Sequence, residues 1–178
     1  MTKANEQQTC ADKVQAAWAS RREDLEMMLD PQPEYLTING ERVSTPNDRW
    51  ELGYGETSFE ADIEAQDLFD EHEDEIRDAA HEAFYEYGLA FDYVAPGTFT
   101  DLDEGYWRYQ ISWGGPSEEI RFFANRDGHV YKAEFWYLDW FDGASVTVTN
   151  DEIVALLWDE FEGMGMVGYE YAKAMEDL

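Results

Sequence analysis

The chain has 178 residues, of which 12 are Lys or Arg and 41 Asp or Glu, for a formal charge of -29, yet 44% are hydrophobic and 16% aromatic. Disordered acidic chains are poor in aromatics and cannot bury enough apolar surface to offset chain entropy, so a packed structure is expected, and the length suits a single domain over 1–178. The charge argues against direct binding to nucleic acid or an anionic membrane, both of which need clustered Lys and Arg, and makes a basic partner the natural one.

The N-terminal stretch is polar, without the apolar run of a secretory signal, and no segment is long and apolar enough to span a bilayer. An intracellular, cytoplasmic protein is expected. Cys10 is the only cysteine, which excludes a disulfide framework or a Cys-rich zinc site within one chain.

In chain order, Cys10, Val14, Trp18, Leu25 and Leu29 fall at helical spacing and predict a helix over about 9–29, stopped by Asp30-Pro31. Asn39-Gly40 suggests a small hairpin with arms 35–38 and 41–44, followed by an ordered loop over 45–55. Ile63, Leu68 or Phe69, Ile76, Ala79, Ala80, Ala83, Phe84 and Tyr87 form the apolar stripe of a second helix, about 60–88, with Gly88 as its C-cap. Three segments of period-two patterning follow, centred on Trp107 to Trp113, Ile120 to Ala124 and Tyr131 to Tyr137. They are separated by Gly114-Gly115-Pro116-Ser117 and Asn125-Arg126-Asp127-Gly128, and 145–149 adds a further strand after Asp142-Gly143. Asn150 or Thr149 is placed to cap a last helical region over about 151–176, interrupted by Gly163 and Gly165. The order predicts an α+β fold: an antiparallel meander of about four strands over 105–149, with amphipathic helices on one face.

The charge is segregated. Residues 51–107 carry 18 acids and one base, Arg77, whereas 108–132 hold 3 acids and 4 bases, and 133–172 hold 9 acids and no base. On the second helix Glu60, Glu64, Asp67, Glu71, Asp74, Asp78, Glu82 and Glu86 are three or four residues apart, which places them along one face of a continuous helix. Asp101, Asp103 and Glu104 extend the acidic set. A solvated face is the plain explanation, but such faces ordinarily mix both signs. Arg108, Arg121, Lys132 and Glu134 make a mixed-charge face on the strands, whose bases are expected to hold acidic helices in place.

Signatures of catalysis are missing. No phosphate loop, dinucleotide fingerprint or nucleophile elbow occurs, and His72 and His81, nine residues apart, do not form a helical metal pair. Asp101, Asp103, Glu104 and Gly105 faintly resemble a calcium loop, but Ser112 stands where its bidentate Glu belongs. Trp136, Tyr137, Asp139, Trp140 and Asp142 set carboxylates beside rings as sugar sites do, a pattern expected by chance among so many acids. No enzyme activity, metal or cofactor is expected.

The stretches Tyr87–Phe99, Gly105–Ser117 (GYWRYQISWGGPS) and Trp136–Ala144 (WYLDWFDGA) resemble uncharacterised proteins encoded on proteobacterial plasmids and other mobile elements. The likeness covers roughly residues 80–160. It implies a mobile-element protein in a bacterial host, a setting in which small acidic proteins inhibit host defences. In general character, without a shared motif, the chain is similar to DNA-mimicking inhibitors of restriction and CRISPR systems. The expected function is therefore a DNA mimic in the basic groove of a defence effector, with the carboxylate row as its contact surface and a homodimer as one way to lengthen it. An immunity-type protein that neutralises one basic toxin or nuclease, anchored by Trp136 and Trp140, is the alternative. A salt-adapted halophile protein is a third reading.

Overall fold

The computed structural model describes residues 9–32, 59–99, 103–125 and 127–176, with 59–66 and 68 placed by backbone alone. The fold is α+β. Helices α1 (Cys10–Leu29) and α2 (Phe59–Tyr87) precede strands β1 (Ala90–Val94), β2 (Tyr106–Ser112), β3 (Ser117–Ala124), β4 (Val130–Asp139) and β5 (Asp142–Thr147), and helices α3 (Glu152–Gly163) and α4 (Met166–Glu176) close the chain. The expected hairpin at 35–44 and loop at 45–55 lie outside the described residues. Contacts divide the chain into two compact units, Met1–Ser20 with Gly88–Leu178, and Arg21–Tyr87.

In the first unit the strands form one antiparallel sheet in the order β1-β2-β3-β4-β5, so strands consecutive in the chain are neighbours, and short turns join β2 to β5. The sheet has five strands rather than four, because the short segment 90–94 pairs along β2, Ala90 opposite Gln110 and Val94 opposite Tyr106. Alternation sends Phe91, Trp107, Tyr109, Phe122 and Phe135 to one face. There Phe91 and Tyr109 pack on Phe161 of α3, Trp107 and Phe122 on Trp158, and Phe135 on Trp18 of α1. This face is the core, and Ile120, Phe122, Ala133, Phe135 and Leu157 within it are fully buried.

Local capping differs from expectation at three places. The α3 N-cap is Asp151, whose carboxylate accepts from the Ile153 N–H at 3.1 Å, because Asn150 lies one residue too early to reach it. Gly88 is not in the left-handed region that a C-cap glycine adopts; a Cβ there would lie 2.2 Å from the Tyr109 ring, so close approach of β2 is what demands glycine. The β4–β5 turn is Trp140-Phe141, with Asp139 paired to Asp142, so Asp142-Gly143 opens β5 instead of forming the turn.

The start of α1 is capped twice. Asp12 accepts from both the N–H and hydroxyl of Thr9, at 3.0 and 2.7 Å, the reach-back half of a capping box. Asp142, 132 residues away, accepts from the N–H of buried Cys10 at 2.7 Å, a tertiary anion at the positive end of the helix dipole.

In the second unit, Leu25, Met27 and Met28 of α1 are buried, as are Phe69, Ile76, Ala80, Ala83 and Phe84 of α2, at helical spacing. Tyr87 ties the two helices, donating to Asp24 at 2.7 Å and accepting from Arg21 at 3.1 Å. Burial and the bond to Asp24 push its phenol well above the ordinary range.

The Cys10 N–H and thiol hold the Asp142 carboxyl below its ordinary value of 3.8. A carboxyl depressed by folding contributes stability above its unfolded value and loses it as pH falls through the folded one. Asp142→Asn keeps an acceptor but removes the charge, so it should lower Tm at neutral pH, with the two Tm values converging as pH drops below 3.8. Thermal melts across that range check it, and a constant gap would remove the charge from the account.

Candidate functional site

The second unit presents the carboxylate row. Along 67–86, Asp67, Asp70, Glu71, Glu73, Asp74, Glu75, Asp78, Glu82 and Glu86 are all exposed. The only base in that span is Arg77, itself paired to Glu73 at 2.9 Å. Net charge over these 20 residues is -8, about one charge per 3.6 Å of helix at ~1.5 Å per residue. A single DNA strand carries one per ~3.4 Å and the duplex one per ~1.7 Å. Glu60 and Glu64 lie on the backbone of the same helix.

The row is not straight. His72 has φ -124° and ψ 20°, so two helical segments meet there at a kink, and the continuous 60–86 stripe expected from spacing is divided. Glu73, Asp74 and Glu75 then open the second segment, where the helix dipole favours anions; His72 Nδ1 lies 3.6 Å from Glu75. Beyond the kink, Asp74, Asp78, Glu82 and Glu86 follow four apart over ~18 Å and wind gradually around the axis, because four residues exceed one turn of 3.6.

Apart from Arg77, the described cations lie outside this span. All eight described Lys and Arg are in ion pairs. On the sheet face away from the core, Asp92, Arg108, Arg121, Glu134 and Thr147 stand in register across the five strands. Arg108 grips Asp92 with two bonds, 2.9 and 2.6 Å, which raises its pKa further. Arg121 donates to Glu119 at 2.6 Å, with side chains only 14% and 4% exposed. Lys132 lies 3.4 Å from Glu134. These bases neutralise acids of their own sheet, not the helices they were expected to hold.

Trp136 belongs to the same network. Arg121 stacks over its ring at 4.0 Å and its indole N–H donates to Glu134 at 3.1 Å, so it is half-buried and engaged. Trp140 is its opposite: 89% exposed, beside Phe141, whose side chain is fully exposed. Trp140 has φ 53°, the left-handed geometry of a primed two-residue hairpin turn, a position that Gly or Asn ordinarily fills. A bulky aromatic there costs about 1–3 kcal/mol of backbone strain without compensating burial. The β2–β3 turn sits at the same end, where Trp113 is 78% exposed and a Cβ on Gly115 would be 3.1 Å from the Trp140 indole nitrogen. Sequence reasoning overlooked Trp113 and Phe141; their signal was an aromatic inside a turn.

Asp101 lies outside the described residues. Asp103 and Glu104 are exposed, and Glu104 accepts from the Tyr131 hydroxyl. Among the described residues no group of three or more His, Cys, Asp or Glu could hold a metal ion, and no helix is long and apolar enough to cross a membrane. No protein-family model, curated protein or solved structure matches the chain.

Arg121 and Glu119 should be mutually dependent. Arg121→Met leaves a buried carboxylate unpaired, for an expected loss of ~3–5 kcal/mol, whereas adding Glu119→Leu recovers most of it. Denaturant melts of both variants test this, and equal loss in single and double variants would refute the pairing.

Proposed function

We propose that the protein is a non-catalytic, acidic inhibitor that takes the place of DNA in the basic groove of a bacterial host defence effector of the restriction or CRISPR type, acting in the host cytoplasm. The observation that carries this reading is the span 67–86, nine exposed carboxylates against one guanidinium already paired, with the linear charge density of one DNA strand. Like charges three or four residues apart destabilise a helix by a few tenths of a kcal/mol per pair. Beyond the dipole at Glu73 to Glu75 and the Glu73–Arg77 pair, folding gains little from the row, and a cationic surface would offset its repulsion. Docking would release the groove's counterions and weaken steeply with salt. The resemblance to mobile-element proteins supports a defence effector as the partner, and a two-fold dimer would lengthen the row toward a duplex footprint.

The test is displacement of labelled duplex from candidate effectors at low salt. Asp74→Lys, Asp78→Lys and Glu82→Lys together should abolish displacement while leaving Tm unchanged or slightly higher. Displacement by the triple variant at wild-type concentration would sink the reading.

A second reading has its own observation, the strained and exposed Trp140 beside Phe141. Aromatic anchors of this kind carry binding energy at protein interfaces and support an immunity-type protein directed at one basic toxin or nuclease. On that reading Trp140→Ala weakens binding at least tenfold, more than the triple reversal does. Titrations of both variants against one partner separate the two.

A further inference from the structure

Within the sheet unit, the face away from the core carries an open depression of about 520 Å³ near the β2–β3 turn, within the roughly 300–1,000 Å³ range of small-molecule sites. Its floor is built across two strands. Arg108 stands directly opposite Arg121, and Gln110 opposite Glu119, and all four line the depression. Like charges facing each other across antiparallel strands cost stability, so folding alone does not favour two guanidinium groups at that register.

Each guanidinium is compensated by its own carboxylate. Arg108 holds Asp92 through Nε and Nη2 at 2.9 and 2.6 Å, and Arg121 holds Glu119 through Nε at 2.6 Å. These bonds fix the planar groups without exhausting them, because a guanidinium has five N–H donors and a carboxylate about four acceptor sites. Gln110, 6% exposed, adds an amide that donates to Ser117 Oγ at 3.4 Å. The floor thus sets donors and acceptors side by side, with two positive and two negative charges in balance.

The rim is aromatic. Trp113 lines the depression yet is 78% exposed. Ser117 Oγ donates to the Ser112 carbonyl at 3.0 Å and Ser112 Oγ to that of Pro116 at 3.4 Å, so side chains brace the turn that carries the indole. A ring left in water on a braced backbone is placed before a ligand arrives, which lowers the ordering cost of binding.

We propose that this depression binds a neutral pyranose sugar with equatorial hydroxyls, of the β-glucose type. Such a sugar presents two unlike surfaces. Its axial C–H groups form an apolar face that covers an indole, and its hydroxyls, each both donor and acceptor, match the mixed floor of Arg, Gln and Glu. A free anion is disfavoured, because both guanidinium groups already hold carboxylates and the chain carries -29. The sugar is either a free saccharide or a unit of a longer glycan. The site shares no residue with the carboxylate row and does not rest on the inhibitor reading.

Saturation-transfer NMR and calorimetry of the full chain compare methyl β-glucopyranoside with sorbitol, a polyol that lacks the rigid C–H face. Transfer to the axial ring protons and a Kd of ~1–10 mM are expected, with sorbitol about tenfold weaker or more. Trp113→Ala should raise Kd about tenfold with Tm retained, because the side chain is exposed, and Trp113→Tyr should restore most of the affinity. Should either variant misfold, cross-relaxation between the Trp113 indole protons and the sugar in the wild-type complex gives the same answer. Asp74→Lys, Asp78→Lys and Glu82→Lys together should leave Kd unchanged, so failure of the inhibitor reading and failure here remain distinguishable. Tighter binding of cellotetraose than of the glucoside assigns the sugar to a glycan chain, and equal or weaker binding assigns it to a free saccharide. No binding of the glucoside, equal binding of sorbitol, wild-type affinity in folded Trp113→Ala, or tighter binding of benzoate than of the glucoside overturns the proposal.

Discussion

Positive charge is the scarce component of this protein, and its placement organises everything else. With 12 bases for 41 acids, most carboxylates must go without a partner, and the structure determines which. On the sheet, cations stand beside acids partly drawn out of water: Arg121 beside Glu119, Arg108 beside Asp92, Lys132 beside Glu134. A charge with a low-dielectric neighbourhood is costly unless compensated, whereas an exposed carboxylate is solvated and screened. The sheet therefore takes three of the eight described bases, and the helices carry the other five in pairs of their own. The exposed side of α2 over 67–86 is left almost purely anionic by the same logic, because pairing there was least needed for folding.

The aromatic content completes that division. Ring contacts on the core face of the sheet, from Trp18 on Phe135 to Phe91 on Phe161, supply the apolar burial that offsets self-repulsion of the charge. On the opposite face the rings do different work. Trp136 and Tyr106 flank the Arg121 guanidinium at 4.0 and 4.9 Å, which lets a cation sit nearly dry with a single carboxylate partner.

Much of the fold was legible because its signals are periodic. Helix α1 follows from apolar spacing and Asp30-Pro31, and strands β2 to β4 from alternation between turn sequences rich in Gly, Asn and Asp. The misses have specific physical origins. The kink at His72 involves neither Pro nor Gly, so no residue there announces it. Asp142-Gly143 carries the hairpin signature but is shifted off the turn, because pairing of Asp139 with Asp142 leaves Trp140-Phe141 at the tip. Gly88 looks like a cap and is a clearance for Tyr109, a contact across 21 residues that spacing does not encode. For the candidate sites, the carboxylate row was visible in the spacing alone.

The hairpin tip has a consequence for the protein's behaviour as a colloid. Trp140, Phe141 and Trp113 together form the kind of exposed apolar patch that makes most monomers sticky. Here every molecule carries -29, so two tips approach only against long-range repulsion. That repulsion extends over ~8 Å at physiological ionic strength and ~3 Å in molar salt. The acidic surface thus acts as an electrostatic spacer for the aromatic tip, and ionic strength, more than concentration alone, governs whether two copies meet there.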